Sequence, residues 1–82
     1  TARFWVCYAR LPEAVQTVAG RNFNLLKENP AHPSLHFKKV GKLWSVRVGL
    51  HHRALAVEDE VGFIWGWIGP HDEYERLIRQ QA

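Results

Sequence analysis

The chain has 82 residues, a formal net charge of +3 with its histidines neutral, and 46% hydrophobic residues. This length leaves room for a single domain over residues 1–82, and the apolar content excludes an intrinsically disordered chain. A sequence pI of about 9.4 is compatible with a polyanionic partner, but so small a surplus of positive charge does not by itself indicate one.

Residues 1–28 have the spacing of two consecutive helices. Phe4, Trp5 and Tyr8 recur at helical spacing, and Pro12 is tolerated in the first turn of a second helix. Gly20 weakens that second helix and is a candidate position for a kink. The apolar residues of the second helix recur at three- and four-residue steps: Leu11, Val15, Val18, Ala19, Phe23 and Leu26. We expect the two helices to pack as an N-terminal hairpin.

A loop with two prolines, residues 29–34, ends the helical pattern, and the apolar period then changes to two. Trp44, Val46 and Val48 alternate with small or polar residues, as on a strand with one buried face. The same alternation predicts that Arg47 lies on the opposite face.

The rest of the chain predicts short strands and a final helix. Strands are expected at 53–57 and 63–68 around an acidic turn at 58–62, with a short edge strand at 36–40 and a helix at 71–80. The fold class is therefore α+β: a helical hairpin on a small twisted antiparallel sheet of three to four strands, with a short C-terminal helix. Short connections predict a meander whose helices lie on one face.

Cys7 is the only cysteine, which excludes an internal disulfide and favours a reducing compartment. No apolar run reaches membrane-spanning length, and no segment resembles a signal peptide. We expect a cytoplasmic protein with no membrane partner.

Three motifs, in this order, carry a resemblance to a known family. They are Leu-His-Phe-Lys-Lys-Val at 35–40, Ser-Val-Arg-Val at 45–48 followed by Arg-Ala-Leu at 53–55, and Trp-Ile-Gly at 67–69 followed by His-Asp-Glu-Tyr at 71–74. Together they resemble the RelE/ParE superfamily of type II toxins, over roughly the whole of residues 4–78.

The resemblance implies a toxin that a cognate antitoxin protein neutralises in a heterotetramer or larger complex. RelE-like members are endoribonucleases that cleave messenger RNA on the ribosome and require no cofactor. ParE-like members share the fold but inhibit DNA gyrase without catalysis, and a degenerate toxin that only binds its antitoxin is a third alternative.

The RelE pattern implies catalytic roles for Arg47, Arg53, His71 and Tyr74. Arg47 corresponds to a strand lysine near the scissile phosphate, and Arg53 corresponds to a phosphate-binding arginine. His71 falls just after the last strand, where nuclease members carry arginine or histidine, and Tyr74 lies near the position of a C-terminal tyrosine. Ser45 departs from the pattern, because a second strand lysine is expected there.

Lysines before the second strand are candidates for binding RNA phosphate. Lys38, Lys39 and Lys42 fall in this stretch, and Lys39 or Lys42 is a candidate substitute for the lysine missing at Ser45. Lys38 and Lys39 are also typical of an edge strand that is protected against aggregation.

The cluster suits transfer of a phosphodiester within RNA. The ribose 2′-hydroxyl attacks the adjacent phosphorus, which requires a base, cationic donors to the phosphate oxygens and an acid at the leaving oxygen. Histidine can take either proton role near neutral pH, and arginine matches the phosphate in shape. The sequence leaves open whether His71 is the acid or the base.

Each of these residues also has a purely structural interpretation. Arg47 and Arg53 are equally typical of the solvent-exposed face of a sheet, His71 of a helix start, and Tyr74 of core packing. Three aromatic residues of the last strand are expected to share a face in the core: Phe63, Trp65 and Trp67.

A metal site is not expected from the histidines. His32 and His36 stand on either side of Pro33, His51 and His52 are adjacent, and no cysteine or carboxylate set completes either pair at ligand spacing.

Overall fold

The computed structural model describes residues 1–80 and arranges them as three helices and a four-stranded antiparallel sheet, which confirms the α+β class. The helices are α1 (Ala2–Ala9), α2 (Glu13–Glu28) and α3 (His71–Arg79). The strands are β1 (Lys38–Val40), β2 (Leu43–Val48), β3 (His52–Glu58) and β4 (Phe63–Pro70), and a 3-10 turn at Pro33–Leu35 precedes β1.

Both predicted N-terminal helices are present, and α1 with α2 is called the helical hairpin; α1 packs along β4 and α2 packs along β2. The hydroxyl of Thr1 caps α1 by accepting the Phe4 N–H at 3.1 Å. The Gln16 side chain in α2 donates to the carbonyls of Tyr8 at 2.9 Å and Leu11 at 3.3 Å, and these bonds hold the connection between the helices. The second helix continues through Gly20 from Glu13 to Glu28.

The four strands form a meander in the order β1-β2-β3-β4, so every strand pairs with its neighbour in sequence. The edge strand begins at Lys38 rather than at residue 36, because His36 has a left-handed backbone (φ 45°) that interrupts an extended strand. The β3–β4 turn is held by Asp59, whose carboxylate accepts the N–H groups of Val61 at 2.8 Å and Gly62 at 3.0 Å.

One face of the sheet, called the α2 face, packs against the helical hairpin. Its strand residues alternate as predicted, and Val46, Val48, Ala54 and Ile68 are all buried there with Leu35 from the 3-10 turn. This cluster is the larger of the two in the core.

The opposite face, called the α3 face, is covered by the C-terminal helix. Leu55 and Trp67 point to this side and form a second buried cluster with Tyr74 of α3. The prediction that all helices lie on one face is therefore wrong. Strand alternation turns Leu55 and Trp67 away from the hairpin, so their apolar surface needs a cover of its own.

Trp65 and Trp67 lie on opposite faces, which corrects the prediction that they share one with Phe63. The pairing shifts between Leu55, which faces Trp67, and Ala56, which faces Trp65. The extra residue in this bulge is Gly66, and a bulge reverses the alternation of side chains beyond it. Trp65 accordingly packs against the cluster on the α2 face.

No helix in residues 1–80 is long and apolar enough to cross a membrane.

Candidate functional site

Two arginines stand side by side at the open end of the α3 face. Arg47 of β2 is paired directly with Arg53 of β3, so both side chains project from the same face of the sheet. The Arg47 guanidinium donates to the carbonyl of Gly49 at 3.1 Å, and that of Arg53 donates to the carbonyl of His52 at 2.9 Å. Both side chains are half-buried.

The arginine pair is electrostatically unfavourable in isolation. Burial lowers the pKa of Arg53 and the neighbouring charge of Arg47 lowers it further, while Tyr74 and Glu75 act in the opposite direction. Within residues 1–80 neither guanidinium has a carboxylate within salt-bridge distance. Like charges directly opposite on adjacent strands destabilise a sheet, so an anion bound between them would relieve the repulsion.

His71 reaches the same end of the sheet from the start of α3. Its backbone N–H donates to the carbonyl of His51 at 2.8 Å, which ties the helix to the β2–β3 turn. Its side-chain Nε2 lies 3.3 Å from a carboxylate oxygen of Glu75, one helical turn further on. His71 is thus both the first residue of a helix and a half-exposed imidazole beside Arg53.

Tyr74 is buried, with 4% of its surface exposed, and packs with Leu55 and Trp67. Its ring lies 5.6 Å from the ring of His71, and the Arg53 guanidinium lies 5.8 Å from the ring centre. The expectation that Tyr74 packs in the core is therefore confirmed. At this position the tyrosine also supports the side chains of both Arg53 and His71 from below.

A cleft of about 340 Å³ opens beside Arg53. It is lined by Leu50, His51, His52, Arg53, Pro70, His71 and Asp72. Burial lowers the pKa of His52, and the charge of His51 lowers it further. This cleft brings the side chains of Arg53 and His71 to one opening.

Gly69, the last residue of the Trp-Ile-Gly motif at 67–69, lies in the same row of the sheet as the arginine pair, although no role in the site was predicted for it. It pairs with Arg53, and a side chain added there would lie 2.5 Å from the ring of Trp67, which folds back over the glycine. Only a residue without Cβ leaves the ring in this position.

The three candidate lysines do not act together. Lys38 pairs with Ser45 and therefore lies on the α3 face, whereas Lys39 pairs with Trp44 on the α2 face. Lys42 lies in the β1–β2 turn and is exposed. The suggestion that Lys39 or Lys42 replaces the lysine missing at Ser45 is not favoured by this register, which brings Lys38 to that side instead.

His36 is a further residue of the site. Its Nε2 lies 3.3 Å from a terminal nitrogen of the Arg47 guanidinium. Continuing the β1–β2 register by two residues places His36 opposite Arg47. The pairing of these two positions could have been predicted from the sequence once the register of β1 and β2 was known. The sequence did not reveal the left-handed backbone that presents this imidazole to the arginine.

His32 has a local role, because its Nδ1 accepts the backbone N–H of Ser34 at 3.2 Å and so caps the 3-10 turn. In the part of the chain that the structure describes, no three histidine, cysteine or acidic side chains lie close enough to hold a metal ion.

A second, apolar groove of about 420 Å³ lies on the other side of the molecule, between the helical hairpin and β4. Large side chains in its wall are exposed to solvent, with Trp5 62% and Phe23 44% accessible. The ammonium of Lys27 lies 4.5 Å from the centre of the Phe23 ring, so one rim of the groove is positively charged.

Comparison with known proteins gives no match, whether with family models, with curated sequences or with solved structures. The choice among functions therefore depends on the side chains and on their geometry.

Proposed function

We propose that this chain is a toxin of the RelE/ParE type that cleaves messenger RNA. The observation that carries the proposal is the pairing of Arg47 with Arg53, without a carboxylate partner in residues 1–80, where Arg53 also shares a cleft with the imidazole of His71. Arg53 and the imidazole of His71 line one cleft, and Arg47 is the cross-strand neighbour of Arg53, an arrangement that matches the needs of a phosphodiester in transfer. The motif resemblance, which covers the same residues, supports this choice over other phosphate ligands.

In the proposed reaction the phosphate binds between the two arginines, and the 2′-hydroxyl of the preceding ribose attacks phosphorus. The guanidinium groups stabilise the negative charge that grows on the equatorial oxygens. His71 transfers a proton, and Tyr74 positions both Arg53 and His71 through its ring. These groups all belong to the protein, so the reaction draws on no cofactor.

Lys38 is the lysine best placed to contact the RNA backbone beyond the scissile phosphate, since it shares the α3 face with the arginines. Lys39 and Lys42 would contact phosphates further away, if a longer segment of RNA or the ribosome lies across the β1 edge.

The partners in this proposal are messenger RNA on the ribosome and a cognate antitoxin. The apolar groove beside the hairpin offers a surface on which a helical segment of the antitoxin could bind, in a heterotetramer or larger complex. A cytoplasmic location follows from the substrate.

The test is induced expression in bacteria of the wild-type chain beside Arg53→Ala and His71→Ala, with growth and transcript 5′ ends followed together. We expect growth arrest with new 5′ ends inside translated messages, and a loss of about 100- to 1000-fold in cleavage for either substitution. Arg21→Ala is the matched control, because it removes an exposed cation from α2, which packs on the opposite face of the sheet.

Other outcomes would assign the chain to other classes. Arrest with intact messages and an induced DNA-damage response would indicate a gyrase inhibitor of the ParE kind. Normal growth with soluble, folded protein would indicate a degenerate toxin that only binds its antitoxin.

A further inference from the structure

The backbone of His36 is held in a conformation that few residues adopt. It is the one non-glycine residue in positions 1–80 with a positive φ, at 45°. Leu35, which is fully buried, anchors the chain immediately before it, and the His36 N–H donates to the carbonyl of Pro33 at 3.3 Å. Such strain persists only where the surrounding structure fixes it, and it is concentrated at functional sites.

The contact between His36 and Arg47 defines where the imidazole carries its proton. A guanidinium has only donors, so the Nε2 of His36, 3.3 Å away, accepts the hydrogen bond and has no proton of its own. When a phosphate draws the guanidinium toward itself, this lone pair becomes free beside the bound anion.

His71 has the opposite arrangement. Its Nε2 lies 3.3 Å from a carboxylate oxygen of Glu75, and an ionised carboxylate only accepts hydrogen bonds. A donor at Nε2 is compatible with this neighbour, so we assign a proton to the Nε2 of His71. The two imidazoles therefore differ at Nε2: His36 presents a lone pair there, and His71 presents an N–H.

The two histidines flank the arginine pair. Arg47, Arg53 and Gly69 pair in one row across β2, β3 and β4, with His36 beside Arg47 at one end. His71 follows Gly69 by two residues at the other end. With strands about 4.8 Å apart, the row is wide enough for a phosphate and its two ester oxygens.

We propose that His36 is the general base and His71 the general acid of the cleavage reaction, an inference that rests on the proposed function. The Nε2 of His36 takes the proton of the 2′-hydroxyl as the bond from the 2′-oxygen to phosphorus forms. The bond from phosphorus to the 5′-oxygen breaks, and the Nε2 proton of the His71 imidazolium moves to that oxygen, which leaves His71 as neutral imidazole. The products are a 2′,3′-cyclic phosphate and a free 5′-hydroxyl.

The structural alternative is that His36 only steadies Arg47. Glutamine and histidine can both offer an acceptor at the reach of Nε2, but glutamine is not a base. Asparagine tolerates the left-handed backbone better than other residues do, so His36→Asn removes the imidazole with little strain. The pair His36→Gln and His36→Asn therefore separates proton transfer from positioning.

The experiment uses ribosomes programmed with a short message and, in parallel, the free oligonucleotide. The message is made in two forms, one with the natural 5′-oxygen at the cleaved bond and one with sulfur in its place. A thiolate leaves without protonation, so the sulfur form does not need a general acid. Wild type, His36→Asn, His36→Gln and His71→Ala are compared on both forms, with thermal unfolding to verify that each variant folds.

We expect both His36 variants to lose about 100- to 10,000-fold on either message, and His71→Ala to lose as much on the natural message only. Recovery of activity by His36→Gln would overturn the assignment in favour of a positioning role. Rescue of the His36 variants by sulfur, or failure of sulfur to rescue His71→Ala, would overturn it as well. If the wild type cleaves neither message, the proposed function itself fails, which the other outcomes do not imply.

Discussion

The two faces of this sheet differ in what their side chains do for folding. On the α2 face, Val46, Val48, Ala54 and Ile68 are buried together under the hairpin, and each adds to the hydrophobic stabilisation of the fold. On the α3 face, the alternate residues of the same strands include Arg47 and Arg53, two like charges in direct cross-strand pairing.

The comparison teaches that the arginine pair is not a product of folding requirements. Any neutral or opposite-charge pair at these positions would stabilise the sheet more than two arginines do. The cluster of Leu55, Trp67 and Tyr74 ends where the charges begin, so the α3 face joins an apolar half to a half in which two arginines have no carboxylate partner within residues 1–80.

The largest effect that tests this division is on the α2 face. Ile68→Ala removes a side chain with 2% exposure and should lower the free energy of unfolding by about 2–5 kcal/mol. Ile64→Ala in the same strand is the matched control, because Ile64 is 41% exposed and should lose less than about 1 kcal/mol. Urea denaturation measures both. Equal losses would mean that burial does not distinguish these positions.

A smaller effect is expected where the two halves of the α3 face meet. Gly69→Ala would place a Cβ 2.5 Å from the Trp67 ring, and the ring must shift, which costs about 1–3 kcal/mol of stability. Gly66→Ala is the control, since no atom lies within 4 Å of a Cβ there. Tryptophan fluorescence measures the movement of the Trp67 ring, and urea denaturation measures the loss of stability. A Gly69→Ala protein as stable as Gly66→Ala would show that the ring is free to move.

The repulsion between the arginines should be measurable as a coupling energy. A double-mutant cycle of Arg47→Gln and Arg53→Gln isolates their interaction, which we expect to be unfavourable by about 0.2–1 kcal/mol at low salt. It should diminish in 1 M salt, where the screening length is about 3 Å. A favourable coupling at low salt would contradict the description of the site as an anion-binding pair.

The smallest effect concerns pH. The pKa of His52 is lowered by burial and by the charge of His51, so this histidine binds a proton more readily in the unfolded chain than in the folded protein. Its contribution to stability is therefore present above its ordinary pKa of 6.5 and is lost as the pH falls below that value. His52→Gln should flatten the decline of the unfolding midpoint between pH 7 and pH 5. An unchanged slope would contradict this.

Much of the fold could be predicted from periodicity. The two N-terminal helices, the alternation of Trp44, Val46 and Val48, and the acidic turn follow from local patterns that the structure retains. The bulge at Gly66 could not be predicted, because it depends on how two strands pair and not on either strand alone. For the same reason, the predicted faces of Trp65 and Trp67 were wrong, and so was the predicted position of α3.

The sequence predicted which residues belong to the candidate site better than it predicted how those residues are arranged. The sequence motifs indicated Arg47, Arg53 and His71, and the register brings these residues to one end of the sheet. That Lys38 rather than Lys39 shares their face depends on the β1–β2 register, which the sequence did not define. His36 depends on a single backbone torsion that no pattern of side chains encodes.

The position of α1 has a consequence for the order of folding. This helix packs along β4, and the backbone nitrogen of Thr1 donates to the carbonyl of Trp65, 64 residues away in sequence. The strand pairings, by contrast, join neighbours in the chain and close short loops, which form faster than long ones. In a refolding experiment with pulsed hydrogen exchange, the amides of β2 and β3 should gain protection before those of α1. The arginine pair would then assemble on the meander while the first helix is still undocked, and protection of α1 ahead of the sheet would exclude this sequence of events.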